Sequence, residues 1–142
     1  MQPNEFFTVA LDLAKNSPSA AEKRTAISRA YYASYHIGAN IIQNLGGRVG
    51  RGSNAHGNVF GSLCGCSIKD VAKLGEKIKS LHGWRRRADY VLTDTLVEKD
   101  SNVQQVLLDA TEIINNLEEI CLHSSDKDRI QEDILQYLHE NT

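Results

Sequence analysis

Nine consecutive residues, Ser28-Arg29-Ala30-Tyr31-Tyr32-Ala33-Ser34-Tyr35-His36, combine small side chains, three tyrosines and two groups able to do phosphate chemistry within one helical pattern. Arg29 and His36 are seven residues apart, two helical turns less about 20°, so they share a face and lie ~10.5 Å apart along the axis. Tyr32 and Ala33 stand between them on that side. An imidazole with an ordinary pKa of about 6.5 takes up or gives away a proton near neutrality. A guanidinium offers a fixed fork of donors to phosphate oxygens. The plainer alternative for the same stripe is a polar helix face whose members are solvated or hydrogen-bond inside the fold.

Bulk composition narrows the setting. The chain has 142 residues, 41% hydrophobic and 24% charged, which suits one domain with its own core (1–142). No apolar run approaches the ~20 residues of a membrane span. The N-terminal Met-Gln-Pro-Asn-Glu lacks the basic-then-apolar pattern of a signal peptide, so a cytoplasmic location is expected. Three cysteines, Cys64, Cys66 and Cys121, cannot close a disulfide framework, and the odd count fits a reducing compartment. The net charge of −2 conceals an asymmetry: residues 1–90 carry 13 Lys/Arg against 6 Asp/Glu, and residues 91–142 carry 3 against 12. A basic face of that kind suits an anionic ligand such as RNA or a nucleotide.

The elements that position the stripe can be read from caps and periodicity. Asn4 caps a first helix ending near Asn16, with Phe6, Val9, Ala10 and Leu13 inward. Ser19 and Glu22 form a capping box for a second helix that reaches about Leu45 and stops at Gly46-Gly47. That helix is apolar over most of its circumference, which places it centrally and leaves a narrow polar stripe of Thr25, Arg29, Tyr32, His36 and Gln43. A basic glycine loop, Gly46 to Gly52, leads to a short helix over about 54–63. Ser67 caps a helix whose seam is Val71, Leu74, Ile78, Leu81, Arg85, Ala88 and Leu92. After a turn over 93–100, a helix over about 102–123 follows, and Ser124 or Ser125 caps a last one. No alternating strand pattern is present. The expected fold is all-α, an up-and-down bundle of about four long helices and one or two short ones.

Two separated motifs in this order, Ser-Arg-Ala-Tyr-Tyr-Ala-Ser-Tyr-His at 28–36 and Arg87-Ala88-Asp89-Tyr90, with His56 between them, resemble the HEPN domain family, in particular its small stand-alone prokaryotic members. The resemblance is strongest over residues 20–93. It implies a helical bundle that forms a homodimer face to face. Many such domains are metal-independent endoribonucleases, often toxins paired with a small nucleotidyltransferase-like antitoxin; others are non-catalytic modules that bind a nucleotide or a partner protein. Catalytic members carry an Arg, usually followed by a polar residue, and then a His after four to six intervening residues. Arg29 and His36 enclose six residues, although Ala30 stands at the usually polar position; Arg51 and His56 enclose four.

On that resemblance His36 is expected to act as acid/base and Arg29 as phosphate clamp, with no cofactor. Tyr32, Arg51, His56, Arg86 and Arg87 form the expected RNA- or nucleotide-binding set. Arg85 occupies a seam position and needs an internal acceptor, which Asp89 at i+4 is placed to supply, so these two are expected to form a structural pair. His56, Cys64, Cys66 and His82 do not make a zinc pattern, because Cys-x-Cys is too tight and no second pair follows; no metal is expected, and the thiols are expected to be reduced and partly buried. The glycine loop at 47–52 lacks the lysine and the preceding strand of a phosphate-binding loop.

Overall fold

The computed structural model describes residues 1–141. Six α-helices run in the order α1 Pro3–Leu13, α2 Ala20–Asn44, α3 Ser53–Cys64, α4 Lys69–Tyr90, α5 Asp100–His123 and α6 Lys127–Glu140, with a 3₁₀ turn at Thr95–Glu98 before α5. No strand occurs among the described residues, and the fold is an all-α bundle. No helix is long and apolar enough to cross a membrane.

The central place expected of α2 is found: it packs against α1, α4 and α5. Ile27, Ala30, Tyr31, Ala33, Ile41 and Ile42 are buried on it. Its ends are set locally. Ser19 accepts from the Glu22 N–H while the Glu22 carboxylate accepts from the Ser19 N–H, the reciprocal capping box. At the other end Gly46 takes φ +92°, and the N–H groups of Gly46 and Gly47 bond the carbonyls of Gln43 and Ile42, a Schellman stop that needs glycine at the left-handed position. Along α4 the seam residues from Val71 to Ala88 are buried, but Leu92 lies beyond the helix end and is 77% exposed.

Three caps differ from the sequence reading. The first helix starts earlier, with Gln2 as N-cap and Pro3 at the first turn, where its fixed φ suits the helix and its missing N–H costs nothing. It also ends earlier, because Asn16 and Ser17 both take positive φ. Ser67 does not cap α4, whose N-cap is Ile68; its N–H and hydroxyl are instead given to the Asp133 carboxylate of α6, at 2.9 and 2.6 Å. Asp126 immediately precedes α6 and makes no side-chain cap bond; Ser124, two residues earlier, accepts the Asp126 N–H at 3.2 Å while its hydroxyl donates to the Ile120 carbonyl, so the serine holds the turn into α6 from one step further back.

One residue without any local signal ties the bundle together. Arg24, on the first turns of α2, is only 9% exposed. Its Nη1 donates to the carbonyls of Arg87, Ala88 and Val91, and its Nη2 to those of Leu92 and Asp94. Nε and Nη2 both reach the Glu98 carboxylate, at 2.9 and 2.7 Å. The last carbonyls of a helix have no partner within it and carry the negative end of its dipole, so a buried guanidinium there both caps α4 and neutralises it. Replacing Arg24 with Met should therefore remove about 3 kcal/mol of unfolding free energy, the low end for breaking a buried charge pair. Urea unfolding checks this; a midpoint equal to that of wild type would contradict it.

Candidate functional site

Four helices bring polar and aromatic side chains to one place along α2. Tyr31, Tyr32, Tyr35 and His36 come from α2, His56 from α3, His82 and Arg85 from α4, and Phe6 from α1. The Tyr35 ring lies 5.2 Å from His36 and 4.8 Å from His56, centroid to centroid. His56 is 5.3 Å from His82, and Tyr31 is 5.7 and 5.4 Å from these two imidazoles. Three histidines and three tyrosines thus form a continuous ring cluster, with Tyr31 fully buried at its base.

The hydrogen bond inside the cluster fixes a tautomer. The Tyr31 hydroxyl lies 2.5 Å from His56 Nδ1. Burial pushes the Tyr31 phenol well above its usual pKa, so it keeps its proton and donates. Nδ1 is then the acceptor, which assigns the remaining proton of neutral His56 to Nε2. All three imidazoles are held neutral. Burial lowers the His36 pKa. Burial, then the charges of Arg85 and His36, lower that of His56. Burial, then His56, Arg85 and Arg86, bring His82 down to about 4.

Two guanidiniums flank these rings. Arg29 lies 5.2 Å above the Phe6 ring and 5.2 Å above Tyr32, and Phe6 in turn stacks on His36 at 5.5 Å with planes 14° apart. Arg29 and His36 therefore share a face, as their spacing requires, with Phe6 of α1 bridging them. Arg85 is 6% exposed and sits over the faces of Tyr31, Tyr32 and Tyr90 at 5.4, 5.5 and 5.7 Å. Its Nη1 stands 3.8 Å from the Asp89 carboxylate, an ion pair without a hydrogen bond, and the same Asp89 oxygen accepts from the Ser28 hydroxyl at 3.1 Å. Arg85 Nε is buried with no partner among the described residues. The ring faces offset much of the charge electrostatically but supply no in-plane acceptor. The site therefore holds a cation with a donor to spare beside neutral proton acceptors.

The other expected binding residues are placed elsewhere. Arg51 is exposed in the glycine loop, and Arg86 is exposed on α4. Arg87 is engaged: its Nε and Nη2 are given to Asp94, and its guanidinium lies 4.4 Å over Trp84. Phe6, Ser28 and Tyr31 join the cluster although the Arg29–His36 spacing does not point to them, and so does His82, which the sequence offers only as a metal ligand. The positions of His82 and Arg85 three apart on α4, and of Tyr31 and Tyr35 four apart on α2, are the periodic signals that could have found them. Cys64, Cys66 and Cys121 are free, and burial raises all three thiols, Cys64 and Cys121 to about 12. The described residues contain no group of three or more His, Cys, Asp or Glu side chains disposed to share a metal ion.

Comparison of the chain with protein-family models, with curated proteins and with solved structures returned no match.

The neutral imidazoles make stability depend on pH in a defined direction. A histidine whose pKa is lowered by folding binds fewer protons in the fold than in the unfolded chain between the two values. Their contribution is therefore complete above about pH 6.5 and is lost as the pH falls through that window, down to about 4 for His82. The contributions of the carboxylates with lowered pKa, Glu22, Asp94 and Asp133, are lost only as the pH falls toward and below their ordinary values of 4.5 and 3.8, so the part of the window above about pH 5 isolates the histidines. The urea midpoint should fall between pH 7 and pH 5, and His82→Gln should flatten that slope. A flat wild-type profile would contradict it.

Proposed function

We propose that this protein is an RNA-directed, metal-independent endoribonuclease of the HEPN type. The observation that carries the reading is the juxtaposition of half-buried imidazoles of lowered pKa with two guanidiniums, Arg85 with an unpartnered Nε and Arg29 with one long bond, to the Ser28 hydroxyl at 3.4 Å. In this reading neutral His36 takes the proton of a ribose 2′-hydroxyl, and the 2′-oxygen attacks the adjoining phosphorus. The P–O5′ bond breaks, the departing 5′-oxygen takes a proton from water, and a 2′,3′-cyclic phosphate remains. Arg29 holds the non-bridging oxygens while the phosphorus centre carries its extra negative charge. Tyr32 stands between the two with Arg29 and Arg85 over its ring, and Arg86 and Arg51 add exposed positive charge that draws in the polyanion.

The resemblance at 28–36 and 87–90 extends the proposal to the assembly and its setting. Two copies meeting through the α2 stripe would bring two Arg29–His36 pairs together in a homodimer, acting in the cytoplasm as a toxin or defence ribonuclease restrained by a nucleotidyltransferase-type antitoxin. The Phe6 ring stacked on His36 and under Arg29 favours a second reading, because it covers one face of each group: a non-catalytic module that binds a nucleotide or a partner protein through the same stripe.

Incubation of mixed RNA with the purified protein in EDTA separates the two. The ribonuclease reading predicts cleavage that leaves cyclic phosphate ends. His36→Gln should lower the rate by about 10²–10⁴-fold, the usual worth of a general base, and Arg29→Ala should be comparably impaired, with both variants folded. A folded wild-type protein that leaves RNA intact but is stabilised by nucleotide would support the binding module instead.

A further inference from the structure

A groove of about 640 Å³ opens between the N-terminal turn of α1, the C-terminal half of α2 and the middle of α5. It adjoins the Arg29–His36 stripe directly. Ile37, which lines it, is the residue after His36. Asn40 and Gln43, which also line it, follow His36 on the same helix by four and seven residues, ~6 and ~10.5 Å along the axis. The polar stripe of α2 therefore runs on into the groove.

The lining has a definite chemistry. Half-buried Ile37 and Ile114 give it aliphatic walls, and Asn4, Asn40 and Gln43 bring side-chain amides to its edge. None of these three amides makes a side-chain hydrogen bond to another described residue, so all are free for a ligand. Glu118 is the one ionisable side chain in the lining. A carboxylate with no cation beside it disfavours a phosphate or any other anion. A lining that is more polar than apolar, with three isoleucines set among side-chain amides, instead suits a flat, neutral, hydrogen-bonding group, and the volume falls within the ~300–1,000 Å³ usual for small-ligand sites. An amide can match either a donor or an acceptor on a base edge, whereas a carboxylate can only accept.

We propose that this groove is a nucleobase subsite that takes a base bearing an exocyclic amino group, as in adenine, cytosine or guanine, and discriminates against uracil. Uracil offers Glu118 only its N3–H, flanked on both sides by carbonyl oxygens that the carboxylate repels, whereas an exocyclic amino group presents two donors. The proposal rests on the RNA-directed reading of the neighbouring stripe: the base would belong to a nucleotide next to the phosphate held at Arg29 and His36.

Neutral nucleosides test it without requiring catalysis. Adenosine, cytidine and uridine are titrated into the isotopically labelled full chain and followed by NMR at the Ile37 and Ile114 methyls and the Asn40 and Gln43 side-chain amides. Adenosine and cytidine should shift these signals, with affinity about tenfold above uridine, the worth of roughly one good base contact. Asn40→Ala combined with Gln43→Ala, both exposed positions, should abolish the shifts, and Glu118→Gln should bring uridine level with cytidine. Equal response to all three nucleosides, or no response up to their solubility limits, would overturn the subsite. Groove binding without RNA cleavage would leave the subsite standing and count against the ribonuclease, whereas cleavage with silent groove signals would do the reverse.

Discussion

The clasp that Arg24 makes on the end of α4 is the constraint from which the rest of the site follows. A helix end is where the chain frays, and α4 carries Arg85, Asp89 and Tyr90 in its last two turns. By giving its donors to the Arg87, Ala88 and Val91 carbonyls, Arg24 prevents that fraying and fixes the rotation of α4 against α2. Its further bonds to Leu92, Asp94 and Glu98 fold the 91–98 segment over the same joint. Arg87 closes the segment from the other side through Asp94. Once α2 and α4 are held in this register, Tyr31 and Tyr32 must meet Arg85, and His82 must meet Tyr31.

Two buried arginines consequently play opposite parts. Arg24 satisfies its donors many times over, as a structural guanidinium must. Arg85 is buried to a similar extent, yet it rests on three ring faces and one distant carboxylate, with Nε unpartnered. Burial lowers the pKa of His56 and His82 first, and the positive field of Arg85 adds to it. Arg85 thus leaves one buried donor unspent, where Arg24 leaves none. A satisfied core would look like Arg24 instead.

Much of the architecture was legible because its signals are local. The Ser19–Glu22 box, the glycine stop after Leu45 and the three-and-four spacing from Val71 to Ala88 each depend on residues a few positions apart. The shared face of Arg29 and His36 follows from helical geometry alone. What could not be read is what depends on partners far along the chain. Every acceptor of Arg24 lies 63 to 74 residues away, and nothing near it in sequence announces the clasp. Phe6 looked like ordinary core, since only the docking of α1 brings its ring onto His36 and Arg29. Asp89 was matched to Arg85 by spacing, but spacing could not reveal that Ser28 would hold the same carboxylate oxygen.

The central claim is that the fold holds three clustered imidazoles neutral beside buried positive charge, and ring-resolved NMR titration tests it most directly. Assigned His36, His56 and His82 resonances followed from pH 8 to pH 3.5 should all titrate below the ordinary histidine value of about 6.5, His82 lowest at about 4. His56 should show the Nε2–H tautomer throughout its neutral range. Titration of these rings at or above the ordinary value would contradict the account, because the cluster would then be an ordinary solvated face.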